Sequence, residues 1–144
     1  MKLILLLILI FSSQWAISQV SYWIISVDNK IVLKGSDSVI TENPATIQID
    51  RTLLRSDTFL QIEMNEPVSN IQWVRAFVFS SATESSLLIK KFDRSNGKFS
   101  IPFTEILTKT GKEKKLSLYT EQHPANSDSG IRSKRTLLAI MELK

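Results

Sequence analysis

The sequence predicts an all-β fold: a single antiparallel β-sandwich of eight or nine strands, immunoglobulin-like with Greek-key connections, and one short helix. From residue 22 onward, apolar and polar side chains alternate within short segments, which is the periodicity of β-strands. Residues that favour turns separate these segments, and three longer polar loops suit a Greek-key sandwich. A small lipocalin- or streptavidin-like barrel, which favours uniform hairpins, is the alternative.

The first half of the chain contains five predicted strands. Asp28-Asn29 separates the first two and predicts a tight hairpin, because both residue types tolerate positive φ. The segment IQWVRAFVF is apolar on both faces, which is typical of a central strand. A short helical turn is predicted at 51–57. The five strands are predicted at residues 22–27, 30–34, 45–50, 59–64 and 71–79.

The second half is predicted to hold four more strands and the helix. Ser95-Asn96-Gly97 predicts a hairpin between the strands at 87–92 and 98–101. The helix is predicted over 102–109, with Ser100 as a possible cap, Pro102 in the first turn and Gly111 at the end. The last two strands are predicted at 115–121 and 133–143.

The polar stretch between the last two strands contains the single histidine of the chain, His123, followed by Pro124. Pro124 and Gly130 bracket a turn-forming composition, so an exposed loop is predicted here. A short Gly/Ser turn in place of residues 122–130 is therefore expected to leave folding intact.

The first 18 residues predict a secretory signal peptide. Lys2 precedes an unbroken apolar run over 3–11, and Ala16-Ile17-Ser18 offers a small-residue cleavage site before Gln19. A membrane anchor is the alternative, but a spanning helix needs roughly 20 apolar residues. We therefore expect a signal peptide at 1–18, one domain at 19–144, a periplasmic or secreted location, and no stable membrane insertion after cleavage.

The composition excludes several function classes. The chain has no cysteine and one histidine, which excludes thiol enzymes, iron–sulfur proteins and typical zinc, copper or haem sites. The net charge of +4 is too small to indicate nucleic-acid binding. No cofactor and no metal are predicted.

Three local patterns resemble parts of known functional sites. His123 lies in the predicted loop, where a catalytic base would lack fixed geometry, so no catalytic residue is predicted. The stretch 126–130 starts like a calcium loop, but Gly130 and Leu137 stand where oxygen ligands are required. The stretch 108–115, TKTGKEKK, lacks the glycine spacing of a phosphate loop. It is interpreted as a solvated basic turn, with weak attraction to anionic surfaces as the minor alternative.

The candidate ligand-binding residues are Trp73, Arg75 and Phe77. They share one face of the predicted central strand, and an arginine among aromatics is costly to bury unpaired. The simpler interpretation is an ion pair to Glu63 or Glu66 or stacking on a neighbouring aromatic ring. The alternative is an exposed aromatic/arginine patch that binds a small molecule or glycan.

Three segments carry a resemblance to a group of proteins. They are WIISVDNKIVLKGS at 23–36, WVRAFVF at 73–79, and the closing YT, proline loop and R-x-x-R at 119–135. Together they resemble small uncharacterised exported β-rich proteins of Bacteroidota-type bacteria, a resemblance that covers most of the domain and implies no activity.

We therefore expect an exported, non-enzymatic β-sandwich that acts as a binding or cell-envelope component. Its expected partner is an unknown protein or glycan of the cell envelope. The alternative is a small-molecule or glycan-binding module. A hydrolase with a paired carboxylate site is the third possibility, because this is the one catalytic chemistry that the composition does not exclude.

Overall fold

The structure is a computed structural model that describes residues 20–37, 44–67, 69–126, 130 and 132–144. Residues 1–19 lie outside it, so the predicted signal peptide and its cleavage site stay predictions. Within the described residues the chain forms nine strands, one α-helix, α1 (Phe103–Thr110), and a 3-10 helix (Arg51–Leu53). The strands are β1 (Tyr22–Val27), β2 (Lys30–Ser36), β3 (Thr46–Ile49), β4 (Phe59–Asn65), β5 (Trp73–Ser80), β6 (Ser86–Phe92), β7 (Gly97–Pro102), β8 (Lys115–Pro124) and β9 (Lys134–Leu143).

The strands form two sheets, and neither sheet closes into a barrel. The four-stranded sheet has the order β2-β1-β4-β7, and the five-stranded sheet has the order β3-β9-β8-β5-β6. The predicted sandwich is therefore confirmed and the barrel alternative is wrong. One pairing differs from a purely antiparallel sandwich, because β3 runs parallel to β9.

The core lies between the two sheets and follows the alternation in the sequence. In β4, Leu60, Ile62 and Met64 are buried while the residues between them are not. In β5 every residue from Arg75 to Ser80 is buried, as expected for a strand flanked by β8 and β6. A T-shaped cluster of Phe77, Phe92 and Phe99 joins the sheets, with ring centroids 4.8–5.9 Å apart.

The two predicted hairpins have different outcomes. Asp28 and Asn29 both have positive φ and join β1 to β2, so the first hairpin is confirmed. The second is wrong, because β6 pairs with β5 and β7 pairs with β4 in the other sheet. Gly97, at φ 103°, therefore lies where the chain passes from one sheet to the other.

The helix lies within one residue of its predicted position. α1 ends at Gly111, which has φ 60° and whose N–H donates to the Leu107 carbonyl. Its N-cap is Pro102 and no side chain caps it, so the suggested cap at Ser100 is wrong. No helix among the described ranges has the length and apolarity needed to cross a bilayer.

The predicted loop after residue 121 begins too early. β8 continues through Pro124, and Gln122 and His123 pair with Arg75 and Val74 of β5. The strand extends because Gln122 is buried against the inner face, as described below. The expectation that a short Gly/Ser turn could replace residues 122–130 without affecting folding is therefore wrong, because residues 122–124 belong to β8.

Replacing residues 122–124 by Gly-Ser-Gly should lower the free energy of unfolding by about 2 kcal/mol, since it removes strand pairing and the partly buried hydrogen bond from Gln122 to Glu66. Urea denaturation measures the change. A matched change of exposed residues 82–84 to the same tripeptide serves as the control. An equal, small effect of both changes would show that β8 effectively ends at Glu121.

Candidate functional site

A cleft of about 620 Å³ opens at the end of the sandwich where β4, β6 and β8 finish and β5, β7 and β9 begin. We call it the end cleft. Short connections, from Glu66 to Gln72 and from Asp93 to Asn96, bring the two sheets together there. Its wall and rim include Ser21, Asp37, Glu66, Trp73, Asp93, Arg94, Asn96, Gln122 and Lys134.

A buried ion pair forms the floor of the end cleft. The Arg75 side chain is 0% exposed and that of Glu66 is 15% exposed, with Arg75 Nη2 2.8 Å from Glu66 Oε1. The Nη2 protons are not aligned with any acceptor, so this contact is a Coulombic ion pair rather than a directed hydrogen bond. Of the two acids considered from the sequence, Glu66 is therefore the partner, and the predicted pairing of Arg75 is confirmed.

Two further contacts fix the guanidinium. Arg75 Nε donates to the Ser95 carbonyl at 2.6 Å, and Nη1 donates to Thr120 Oγ1 at 2.6 Å. Burial lowers the pKa of Arg75 below its ordinary value, and the adjacent Glu66 carboxylate opposes that shift. An arginine stays protonated in proteins nonetheless, so the floor carries a permanent cation.

The Glu66 carboxylate is held from the other side as well. Gln122 Nε2 donates to Glu66 Oε2 from β8. The Glu66 backbone N–H donates to Asn96 Oδ1 at 2.9 Å, and Asn96 Nδ2 donates back to the Glu66 carbonyl at 3.2 Å. These contacts tie β8 and the β6–β7 connection to the segment after β4. The floor is consequently preorganised by groups from four different strands or connections.

The three predicted ligand-binding residues do not form one exposed patch. They share a strand face, as expected from the alternation, but that face is the inner one. Phe77 is 0% exposed within the core, and the Arg75 guanidinium is buried beneath Glu66. Only Trp73, at the start of β5, is half-buried and lines the end cleft, where its Nε1 donates to Ser69 Oγ at 3.4 Å.

His123 lies on the outer face of the five-stranded sheet. Its side chain is 45% exposed, and Nε2 is 3.4 Å from Glu121 Oε2. Arg135 Nε also contacts Glu121, at 3.6 Å, and its guanidinium lies 4.0 Å from the centre of the Tyr119 ring. The histidine therefore belongs to a surface charge cluster and not to the end cleft.

The carboxylates do not gather into an evident metal centre. Within the ranges that the structure describes, no group of three His, Cys, Asp or Glu side chains is placed to hold an ion. In the end cleft, Glu66 is already engaged by Arg75 and Gln122. The rim acids Asp37 and Asp93 lie beside the cations Lys134 and Arg94, with Lys134 Nζ 3.9 Å from Asp37 Oδ2.

Several residues of the site were not identified from the sequence. In β8 every second residue points inward, beginning with Leu116 and Leu118 and continuing with Thr120 and Gln122. The sequence segment LSLYTEQ already shows this alternation. Asn96 was recognised only as a turn residue. Its bridging role depends on a segment thirty residues earlier in the chain, for which the sequence carries no local signal.

The end cleft and its floor are thus identified from the geometry of this structure alone. Comparisons with models of protein families, with curated proteins and with solved structures found no match to this chain.

Proposed function

We propose that this protein is an exported, non-enzymatic binding module that takes an uncharged, sugar-like ligand in the end cleft. The observation that carries the proposal is a half-buried tryptophan, Trp73, beside polar groups on a rigid floor. A sugar ring has apolar C–H faces and hydroxyl edges. An indole ring packs against the C–H face of the sugar, while amides and carboxylates form hydrogen bonds with its hydroxyl groups.

The charges at the rim favour an uncharged ligand. Glu66 and Arg75 neutralise each other, and the rim then offers Asp37 and Asp93 against Arg94 and Lys134. Because these charges balance, neither an anion nor a cation gains a net Coulombic advantage. Besides their bonds to Glu66, the amides of Asn96 and Gln122 keep a second donor or acceptor position suited to hydroxyls.

The volume and the rigidity of the cleft also support binding. A space of about 620 Å³ lies within the range of small-ligand sites. The floor is fixed by the ion pair and by the paired bonds of Asn96, so little ordering is required when a ligand enters. Export is supported by the apolar run at 3–11, and a cell-envelope glycan is the corresponding ligand class.

The test is binding of a panel of neutral mono- and oligosaccharides, followed by calorimetry on those that bind. Trp73→Ala should weaken binding by about 2 kcal/mol, roughly thirty-fold, as for a buried aromatic contact. Phe59→Ala is the matched control, because Phe59 is an exposed aromatic residue outside the cleft. The proposal is wrong if no neutral saccharide binds, or if both substitutions weaken binding equally.

A further inference from the structure

The end of the sandwich opposite the end cleft has a different surface, which we call the basic pole. It combines one exposed leucine with five exposed lysines from segments far apart in the sequence. Its residues are Leu53, Lys109, Lys112, Lys114, Lys115 and Lys144.

Hydrogen bonds hold these segments together. Arg51 N–H donates to the Lys144 carbonyl at 2.9 Å, and Leu143 N–H donates to the Lys114 carbonyl at 2.8 Å. The Arg51 guanidinium donates to the carbonyls of Gly111 and Glu113. The 3-10 helix, the turn after α1 and the end of β9 therefore form one surface.

The basic pole carries an excess of positive charge. The side-chain carboxylates in these segments are Asp50, Glu113 and Glu142, against the five lysines and Arg51, which leaves an excess of three positive side-chain charges. Hydrogen bonds from Thr52 Oγ1 and N–H lower the pKa of Asp50, so its charge is included. The turn also follows the C-terminus of α1, where cations are favoured by the helix dipole.

Leu53 is the second component of this surface. It is 74% exposed, the largest value among the exposed hydrophobic residues described, whereas the adjacent Leu54 packs against the core. Leu54 thus anchors the 3-10 helix to the core, and Leu53 is presented to solvent. Apolar side chains surrounded by lysines are the arrangement with which peripheral proteins bind a bilayer surface.

We propose that the basic pole docks on an anionic lipid surface, with Leu53 entering the headgroup layer and the lysines contacting lipid phosphates. Each lysine near such a surface contributes about five-fold in affinity, and Leu53 contributes by partial burial of its side chain. The end cleft, at the other end of the sandwich, then faces away from the lipid. This docking is separate from the proposed saccharide binding and does not depend on it.

Co-sedimentation of the full protein with phosphatidylcholine vesicles, with and without phosphatidylglycerol, tests the proposal. We expect binding only to the vesicles with phosphatidylglycerol, and a steep loss as salt is added. The triple variant Lys112→Gln, Lys114→Gln, Lys115→Gln should reduce binding about 100-fold. Leu53→Ser should reduce it about ten-fold. Urea denaturation confirms that each variant remains folded.

The matched control is Lys34→Gln, Lys91→Gln, Lys98→Gln, which removes the same charge from exposed strand lysines outside the pole. It should change binding by about three-fold or less, as a general charge effect. Equal losses in the two triple variants, or no binding to phosphatidylglycerol vesicles, would overturn the proposal. Equally tight binding to soluble heparin that is insensitive to Leu53→Ser would assign the pole to a soluble polyanion and would also overturn it.

Discussion

Replacing Glu66 by alanine should lower the free energy of unfolding by about 3 kcal/mol, because it leaves a buried guanidinium without its counter-charge. The Arg75 side chain is fully buried, and its remaining contacts are the Ser95 carbonyl and the Thr120 hydroxyl. The substitution also leaves the buried Gln122 amide without its acceptor. Urea denaturation at neutral pH measures the change.

A double substitution separates the ion pair from simple packing. Arg75→Met combined with Glu66→Gln removes both charges and keeps an acceptor for Gln122, so its stability should lie within about 1 kcal/mol of the original protein. If Glu66→Ala alone costs less than about 1 kcal/mol, the pair is not what holds the floor of the end cleft.

The pKa of Arg75 predicts no pH dependence of this stability near neutrality. Its folded value is lowered from an ordinary value that is already strongly alkaline. The unfolded state therefore binds more protons only in the alkaline window between the two values, and stability rises with pH only there. Near pH 7 the guanidinium is charged in both states.

Replacing Gly35 by alanine should lower the free energy of unfolding by about 2 kcal/mol through overpacking. A Cβ at this position would lie 2.4 Å from Cε2 and Nε1 of the Trp23 indole, closer than any real contact. Trp23 is buried in the core and is paired directly with Gly35 of β2, so moving the indole away from a new methyl group would disturb the packing of the core. Equilibrium unfolding in urea measures the loss.

The Trp23→Phe background supplies the control for this clash, because the smaller ring lacks the atoms that the new methyl group meets. Gly35→Ala should cost at least about 1 kcal/mol less in that background. The same cost in both backgrounds would trace the effect to the backbone of β2 and not to the indole. The two single variants and the double variant complete the cycle.

Local patterns in the sequence were sufficient for most strands. Alternation predicted the strand at 59–64, in which Leu60, Ile62 and Met64 are buried, and Gly111 marked the end of the helix correctly. The same patterns failed where partner choice is not local. Ser95-Asn96-Gly97 indicated a reversal of the chain, but it carries no information on whether the next strand joins the same sheet or the opposite one.

The candidate site was likewise predictable from the sequence only in part. The cost of burying an unpaired arginine was enough to expect an acid beside Arg75, and Glu66 is that acid. The extension of β8 to Pro124 was missed because polar Gln122 is buried only through its bond to Glu66, fifty-six residues earlier. The end cleft itself joins segments from Ser21 to Lys134, whose proximity only the folded topology creates.

The parallel pairing of β3 with β9 has a consequence for how the chain acquires its structure. Gln48 and Lys144 are in contact although 96 residues separate them, and β9 is inserted between β3 and β8. The five-stranded sheet is therefore complete only once β9 pairs with both β3 and β8, and such non-local pairing is slow. Until β9 is in place, β3 and β8 each lack a neighbour on that side, and unpaired strand edges of this kind favour aggregation.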